Sequence, residues 1–253
     1  MRRNKLIFHV VLLLTAISIF SPILLFADNI PNHSDLQKAL KSVVGEKNGG
    51  FGLNMWATIV NRDGVVVSVV FSGNDRGDQF PGSRVISAQK ANTANAFSLP
   101  GLALSTGNLY FAVQPGGSLY GLQHSNPVNT EAAYRGNSKN IGAANDPMVG
   151  SKIGGINVFG GGLALYDSKG KLLGALGVSG DSSCADHNIA WKVRHKLKLD
   201  YVPSGVSPTN DDNIVYDIVD GVSFSGWGHP GCSSDAGKIA EKLPETHPIG
   251  ARD

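Results

Sequence analysis

Two short spacings in the sequence place sulfur and nitrogen side chains where they can bind a metal. Cys184 and His187 are separated by two residues, and so are His229 and Cys232. Two thiolates and two imidazoles are a suitable set of tetrahedral ligands for zinc. These are the only two cysteines, however, and the N-terminus predicts export, as described below. An even number of cysteines in an oxidising compartment favours a disulfide between Cys184 and Cys232, with zinc as the minor alternative.

Two histidines, His187 and His195, lie in a segment that the sequence predicts to be helical, Ala185–Leu199. His187, Trp191 and His195 follow one another at four-residue steps along it. Histidine nitrogen is a common metal ligand. Because a helix rises about 1.5 Å per residue, His187 and His195 lie about 12 Å apart and do not share one metal. We expect His187 to be the metal-binding residue while Trp191 lines an apolar pocket. For His195, which has basic neighbours, a solvated helix face is the alternative.

A further histidine, His124, lies in a segment rich in Gly, Asn and Pro, residues 112–155. Long segments of this kind often carry function, and Gly116-Gly117 and Tyr120 just before the histidine would let the chain fold over a ligand. A plain surface position is the alternative for an isolated loop histidine. We keep His124 as a candidate ligand-binding residue.

The N-terminal 27 residues have the pattern of a secretory signal peptide. Arg2, Arg3 and Lys5 precede an apolar stretch that ends at Ala27, a small residue followed by polar ones. An uncleaved membrane anchor is the alternative, because the apolar stretch is about long enough to cross a bilayer. Cleavage after Ala27 predicts a mature chain of residues 28–253 that is periplasmic or secreted and not stably inserted in a membrane.

The charge of the chain argues against one class of partner. The whole chain has 22 basic and 20 acidic side chains. Loss of the first 27 residues removes three basic ones, which leaves 19 against 20 and a net charge of −1. Such a chain has no basic field to attract a phosphate backbone, so we expect no nucleic-acid partner. A hydrophobic content of 42% is enough to build the core of one large domain.

The order of apolar and turn residues predicts two similar units, each a β-hairpin followed by a helix. Asp63-Gly64 and Lys169-Gly170 supply the hairpin turns between runs of strand-forming residues. Ser183, three residues before Asp186, has the form of a capping box at the start of the second helix. The predicted elements, in chain order, are a helix over Ser34–Val44, strands over Trp56–Asn61 and Val65–Phe71, a helix over Ser83–Phe97, strands over Gly162–Tyr166 and Lys171–Ser179, a helix over Ala185–Leu199, a strand over Asn213–Val219 and a helix near Asp235–Leu243.

Hairpins separated by helices favour an α+β fold with a central antiparallel sheet flanked by helices. Residues 112–155 form a long inserted loop in this scheme, and residues 201–253 form a C-terminal extension. The glycines at 160–162 do not make a dinucleotide-binding fingerprint, and the glycines around Ser179 lack the spacing of a nucleophile elbow. The sequence therefore shows neither of these enzyme signatures.

Four short motifs lie along the predicted domain: Arg62-Asp63-Gly64, Lys90-Ala91-Asn92-Thr93-Ala94, Gly154-Gly155 and Gly174-Ala175-Leu176-Gly177-Val178-Ser179-Gly180. Together they resemble the GlcG/HbpS-like haem-binding family over about residues 34–199. The resemblance implies a profilin-like plan, homo-oligomers, and haem or a related small molecule as ligand. It also implies that Lys90 and Thr93 line the pocket, where Lys90 can pair with a haem propionate. With haem as the ligand, histidine is a common axial ligand of the iron, and we expect His187 to bind it. An ion pair within the fold is the alternative for Lys90.

These observations favour an exported binding protein for haem or a similar small planar ligand, with no chemistry of its own. The expected ligand-binding residues are Lys90, Thr93, His124, His187 and Trp191. An enzyme acting on a small organic metabolite, with Lys90, Asp186 and His187 as acid–base groups, is the first alternative. A structural oligomer whose long loop contacts partners is the second.

Overall fold

A computed structural model describes residues 30–250 of the chain, and the predicted signal peptide lies outside the described residues. Its strands are β1 (Trp56–Asn61), β2 (Val66–Phe71), β3 (Gly162–Tyr166), β4 (Leu172–Ser179), β5 (Ile218–Val219) and β6 (Val222–Ser223). Its α-helices are α1 (His33–Val44), α2 (Ser83–Phe97), α3 (Leu122–Ser125), α4 (Thr130–Tyr134), α5 (Ser183–Lys196) and α6 (Ser234–Thr246). No helix within residues 30–250 is both long and apolar enough to cross a membrane.

The first four strands form one antiparallel sheet in the order β2-β1-β4-β3, and helices cover both of its faces. Helix α2 packs on one face through the small residues Ala88, Ala91 and Ala94. Helices α1 and α5 pack on the other face, where Leu40 and Ile189 belong to one apolar cluster with the strands. The predicted α+β fold with a central antiparallel sheet flanked by helices is confirmed.

Glycines allow the helices and strands to approach closely. A Cβ atom at Gly177 of β4 would overlap the carbonyl oxygen of Ser87 in α2. A Cβ at Gly160 would overlap the carbonyl oxygen of Ser183 in α5, and one at Gly162 would lie 2.5 Å from that of Lys90. The glycine run at the start of β3 therefore lets the backbone pass between α2 and α5.

The inserted segment 112–155 carries the short helices α3 and α4 and packs against α2. The guanidinium of Arg84, in α2, donates to both carboxylate oxygens of Asp146 and to the carbonyl oxygen of Ala133. Both partners of the Arg84–Asp146 ion pair are almost wholly buried. Met148 and Ile153 of the segment belong to the same apolar cluster as α2. These contacts hold the segment over one face of the sheet.

The predicted strand over Asn213–Val219 is wrong for most of its length. Only Ile218–Val219 is a strand, paired with Val222–Ser223 in a short hairpin. The preceding residues direct their backbone donors to side chains instead: the amide of Asn213 donates to Asp211, and the amide of Ile214 to the ring of His187. A segment whose amides bond to side chains in this way cannot extend a strand ladder.

The start of α5 also differs from the prediction. The capping residue is Ser182, whose side chain accepts the amide of Ala185. The carboxylate of Asp186 accepts a hydrogen bond from the amide of Asp181. Ser183 is instead the first helical residue, so its hydroxyl takes no part in capping.

We predict that Gly177→Ala lowers the free energy of unfolding by about 3 kcal/mol, because the added methyl group pushes α2 away from β4. Urea unfolding monitored by circular dichroism measures the change. Gly237→Ala in α6 is the matched control, since a Cβ there has no neighbour within 4 Å. The control should gain about 0.5–1 kcal/mol from helix propensity. Equal effects of the two substitutions would contradict the close packing of α2.

Candidate functional site

The two cysteines are joined in a disulfide, as the sequence predicts. The bond links the start of α5 to the C-terminal extension and leaves no thiolate for zinc. Within residues 30–250, no three or more His, Cys, Asp or Glu side chains are grouped so that they could hold a metal ion. The zinc alternative is therefore not supported. The two histidines of the predicted zinc site have other hydrogen-bond partners: His229 Nε2 bonds to the Ser183 hydroxyl, and His187 Nε2 bonds to Asn213 Oδ1.

Lys90 and Asp186 form an ion pair in the interior, with Nζ 2.6 Å from Oδ2. Lys90 Nζ also donates to the carbonyl oxygen of Val178 at 3.0 Å. Burial raises the pKa of Asp186 to about 6, although the Lys90 ammonium acts in the opposite direction. Burial likewise lowers the pKa of Lys90. The structure thus pairs Lys90 within the fold, which is the alternative to a contact with a haem propionate.

Thr93 lies one helical turn from Lys90 and is also buried. Its hydroxyl donates to the carbonyl oxygen of Gln89 at 2.8 Å and accepts the amide of Asn157 at 3.0 Å. Both bonds are internal, so Thr93 joins α2 to the segment that precedes β3.

His187 is fully buried. Its Nε2 lies 3.1 Å from both Asn213 Oδ1 and the Ile214 amide nitrogen, and its Nδ1 has no partner among residues 30–250. Burial is the largest cause that lowers its pKa, to about 3. The ring therefore bonds to residues 213–214 while its neighbour Asp186 bonds to Lys90. The structure does not bring Lys90, Asp186 and His187 together as one acid–base group.

Trp191 belongs to the apolar cluster between α1, α5 and the sheet. Its Nε1 donates to the carbonyl oxygen of His247 at 2.9 Å, and the guanidinium of Arg194 lies 4.9 Å from the centre of a Trp191 ring. His124, in contrast, is exposed on the short helix α3. The five expected ligand-binding residues do not share one cavity in the structure, and their role in binding stays a prediction.

His195, one helical turn beyond Trp191, lies beside open space. It lines a cavity of about 620 Å³ between the end of α5 and the C-terminal segment. Its side chain is 37% exposed, and its Nδ1 lies 2.7 Å from Asp200 Oδ2 and 3.0 Å from the Pro248 carbonyl oxygen. Nε2 has no hydrogen-bond partner within the described part of the chain. The sequence analysis did not use Asp200, whose position five residues after His195 could have indicated a carboxylate partner for this histidine.

The walls of this cavity, which we call the His195 cleft, combine polar and apolar groups. The ring of His247 lies 5.3 Å from that of His195, edge to face. Lys196 and Lys198 are exposed at the cleft, and Tyr201 and Ile249 add apolar surface. Most of the lining residues are polar or charged, and the volume lies within the range of small-molecule sites.

We predict that the free energy of unfolding falls as the pH drops below 6.5, because the unfolded chain protonates His187 and the folded chain does not. His187 alone should account for a loss of about 2 kcal/mol between pH 7 and pH 5. Urea unfolding of the wild type and of His187→Gln at both pH values measures this contribution. The variant should lose about 2 kcal/mol less than the wild type over the interval, and His124→Gln, at an exposed site, should match the wild type. Parallel curves for wild type and His187→Gln would refute the assignment.

Solved structures that are similar to this fold include two crystal structures. The crystal structure of the PduOC:heme complex is 24% identical, with 64% of this chain and 89% of that chain covered and a TM-score of 0.44. The crystal structure of the Klebsiella pneumoniae protein ORFY is also 24% identical, with 65% and 86% covered and a TM-score of 0.44. None of the curated proteins compared with the chain matches it.

The family comparison covers more than half of the chain. Residues 32–194 match the model of a family described as haem degrading protein HbpS-like. The match extends from α1 to the last turns of α5, and so includes the whole four-stranded sheet and α2. The resemblance of the four sequence motifs is thereby confirmed, and the chain belongs to the HbpS-like family.

Proposed function

We propose that this protein binds haem in the His195 cleft, with His195 Nε2 as the axial ligand of the iron. The observation that carries the proposal is the short bond from His195 Nδ1 to the Asp200 carboxylate. When Nδ1 carries the proton, Nε2 holds a free lone pair. Histidines that bind metals commonly donate their other ring N–H to a carboxylate, which orients the ring and makes it a better ligand. The family membership supports haem as the ligand.

The other groups at the cleft match the remaining parts of the haem molecule. The ammonium groups of Lys196 and Lys198 can pair with the two propionates. Tyr201 and Ile249 can contact the apolar macrocycle. A volume of about 620 Å³ lies within the usual range for cofactor pockets.

His195 suits the iron better than His187, the ligand that the sequence favours. Iron binding at His187 would require a fully buried ring to leave its partners at residues 213–214. The His187 ring is fully buried, and its Nδ1 does not reach solvent. At His195 the ring is oriented and accessible without rearrangement of the core.

We further propose that the protein acts outside the cytoplasm as a homo-oligomer, and that it binds haem without transforming it. The signal-peptide pattern and the Cys184–Cys232 disulfide support export, because disulfides persist in oxidising compartments. Haem degradation is a second candidate function, favoured by the description of the family.

We predict that hemin added to residues 28–253 gives a sharpened and shifted Soret band, and that His195→Ala abolishes it. Asp200→Asn should weaken hemin binding about 10–100-fold, because the ring loses its orienting carboxylate. His124→Ala is the matched control and should bind like the wild type, since this histidine lies in the inserted segment. Absorption titration with circular dichroism as a check on folding measures all four proteins.

Three outcomes of this titration have distinct meanings. Absence of a band at excess hemin would refute haem binding. A band that His195→Ala leaves unchanged would refute the ligand while retaining haem. Loss of the wild-type Soret band in air with ascorbate, faster than the loss of absorbance of free hemin under the same conditions, would establish degradation and contradict a purely binding role.

Export predicts a specific product. When the full chain is produced in a bacterial host, the protein recovered outside the cytoplasm should begin at Asp28 and contain no free thiol. Mass spectrometry of the intact protein and thiol titration before and after reduction measure both properties. A product that retains residue 1, or stays reduced in the cytoplasm when the N-terminus is intact, would contradict the proposal.

A further inference from the structure

Two segments that are poor in charged side chains meet on a surface outside the His195 cleft. Residues 91–130 contain no Asp, Glu, Lys or Arg, and residues 201–232 contain no Lys or Arg. The segments pack against each other: Leu109 of the first belongs to an apolar cluster on which Trp227 of the second packs, partly buried. The surface that the two segments form together therefore has few groups that could make ion pairs with a partner.

The acidic side chains of the second segment add little charge to this surface. Asp211 and Asp212 are buried. Asp217 is half-buried, and its carboxylate accepts a hydrogen bond of 2.7 Å from the hydroxyl of Ser223. The remaining acidic residue of the segment, Asp220, is exposed at the turn of the β5–β6 hairpin. Apart from that turn, the surface is almost uncharged.

The β5–β6 hairpin presents apolar side chains to solvent. Val219 and Val222 are paired directly across the two strands, so their side chains lie on the same face of the hairpin. They are 69% and 63% exposed, and Phe224, which follows β6 directly, is 97% exposed. A phenylalanine ring left in water in this way exposes about 150–250 Å² of apolar surface. Large apolar patches on a protein surface mark interaction sites.

A groove of about 550 Å³ adjoins the hairpin. Ile218 and Val222 of the hairpin line it together with Tyr110 and Phe111 of the first segment. None of the described residues that line the groove is charged. The same surface therefore carries both a protruding aromatic side chain, that of Phe224, and an apolar groove that can receive one.

A second copy of this chain is the partner that fits these features. A charged partner surface would lose its water against an uncharged one without gaining ion pairs, which costs free energy. A second copy instead brings the same uncharged surface. In a two-fold dimer both subunits use the same patch, so that patch has to be complementary to itself. A patch with both a protruding phenylalanine and a groove meets this condition.

We propose that two copies of this chain associate through this surface, with Phe224 of each copy in the groove of the other. We call the surface the hairpin face, and it consists of Tyr110, Phe111, Ile218, Val219, Val222 and Phe224. Aromatic residues are enriched, and charged ones depleted, at the centre of protein interfaces, as they are here. The inference rests on the homo-oligomer proposed above and names its contact surface, but it does not rest on haem binding. The hairpin lies beyond residue 194, where the family match ends, so the family domain alone does not supply this contact.

The test is sedimentation velocity of oxidised residues 28–253, without hemin, over about a hundred-fold range of protein concentration. We expect a concentration-dependent oligomer. Phe224→Asp should weaken the association at least about 30-fold, because it removes a central aromatic residue and buries a carboxylate in each groove. Phe51→Asp is the matched control, since Phe51 is also an exposed phenylalanine, at 83%, outside the hairpin face, and it should associate like the wild type. Circular dichroism checks that each variant is folded.

The outcomes separate this surface from the homo-oligomer itself. A wild type that is monomeric throughout would refute both. An oligomer that Phe224→Asp leaves unchanged, or that Phe51→Asp weakens equally, would overturn the hairpin face and retain the homo-oligomer. Monomeric wild type that floats with phosphatidylcholine vesicles, and floats less in Phe224→Asp, would assign the surface to a membrane and overturn the proposal.

A second measurement uses the wild type alone and so covers the case in which a variant fails to fold. Amide hydrogen exchange followed by mass spectrometry is compared at the lowest and the highest protein concentration of the same range. At the highest concentration we expect slower exchange in peptides that cover residues 108–118 and 216–226, and unchanged exchange in the peptide that covers Phe51. Slower exchange confined to other residues would overturn the proposal.

Discussion

The buried ion pair between Lys90 and Asp186 joins the two helical layers of this protein. Lys90 belongs to α2 on one face of the sheet, and Asp186 belongs to α5 on the other. The pair forms beside Gly161, where a Cβ would lie 3.2 Å from Nζ, so glycine there leaves room for the contact. Removal of one partner of a buried pair leaves an uncompensated charge, which typically costs 3–5 kcal/mol. The position of α5, and of every candidate site on it, therefore depends on this contact.

Helix α5 carries different chemistry at its two ends because its partners differ. At its first residue the Ser183 hydroxyl bonds to His229, and near its last turn His195 bonds to Asp200. The middle of the helix is inaccessible to solvent: His187 and Trp191 are buried and form hydrogen bonds to neighbouring segments. Solvent access, rather than residue type, distinguishes His195 from His187, which lies two helical turns before it.

The C-terminal extension supplies most of these partners. The family match ends at residue 194, yet Asp200, Asn213 and His229 all come from beyond it. The extension also provides Asp212, whose carboxylate holds the buried Arg194 guanidinium through two bonds of 2.6 and 2.8 Å. The proposed haem site is thus built where the family domain meets residues that follow it.

Local sequence patterns were sufficient for much of the fold. Runs of strand-forming residues joined by turns at Asp63-Gly64 and Lys169-Gly170 predicted the four strands, because a hairpin is stabilised by neighbours in the chain. The two cysteines predicted the disulfide. Patterns could not reveal which histidine stays accessible. His187 and His195 are alike in spacing and chemistry, and only the packing of residues 200–250 buries one and leaves the other at a cavity. The Ser183–His229 contact was equally hidden, because it depends on chain closure over 46 positions and on Ser182, not Ser183, capping the helix. Burial and long-range contact are properties of the assembled structure, and no local spacing encodes them.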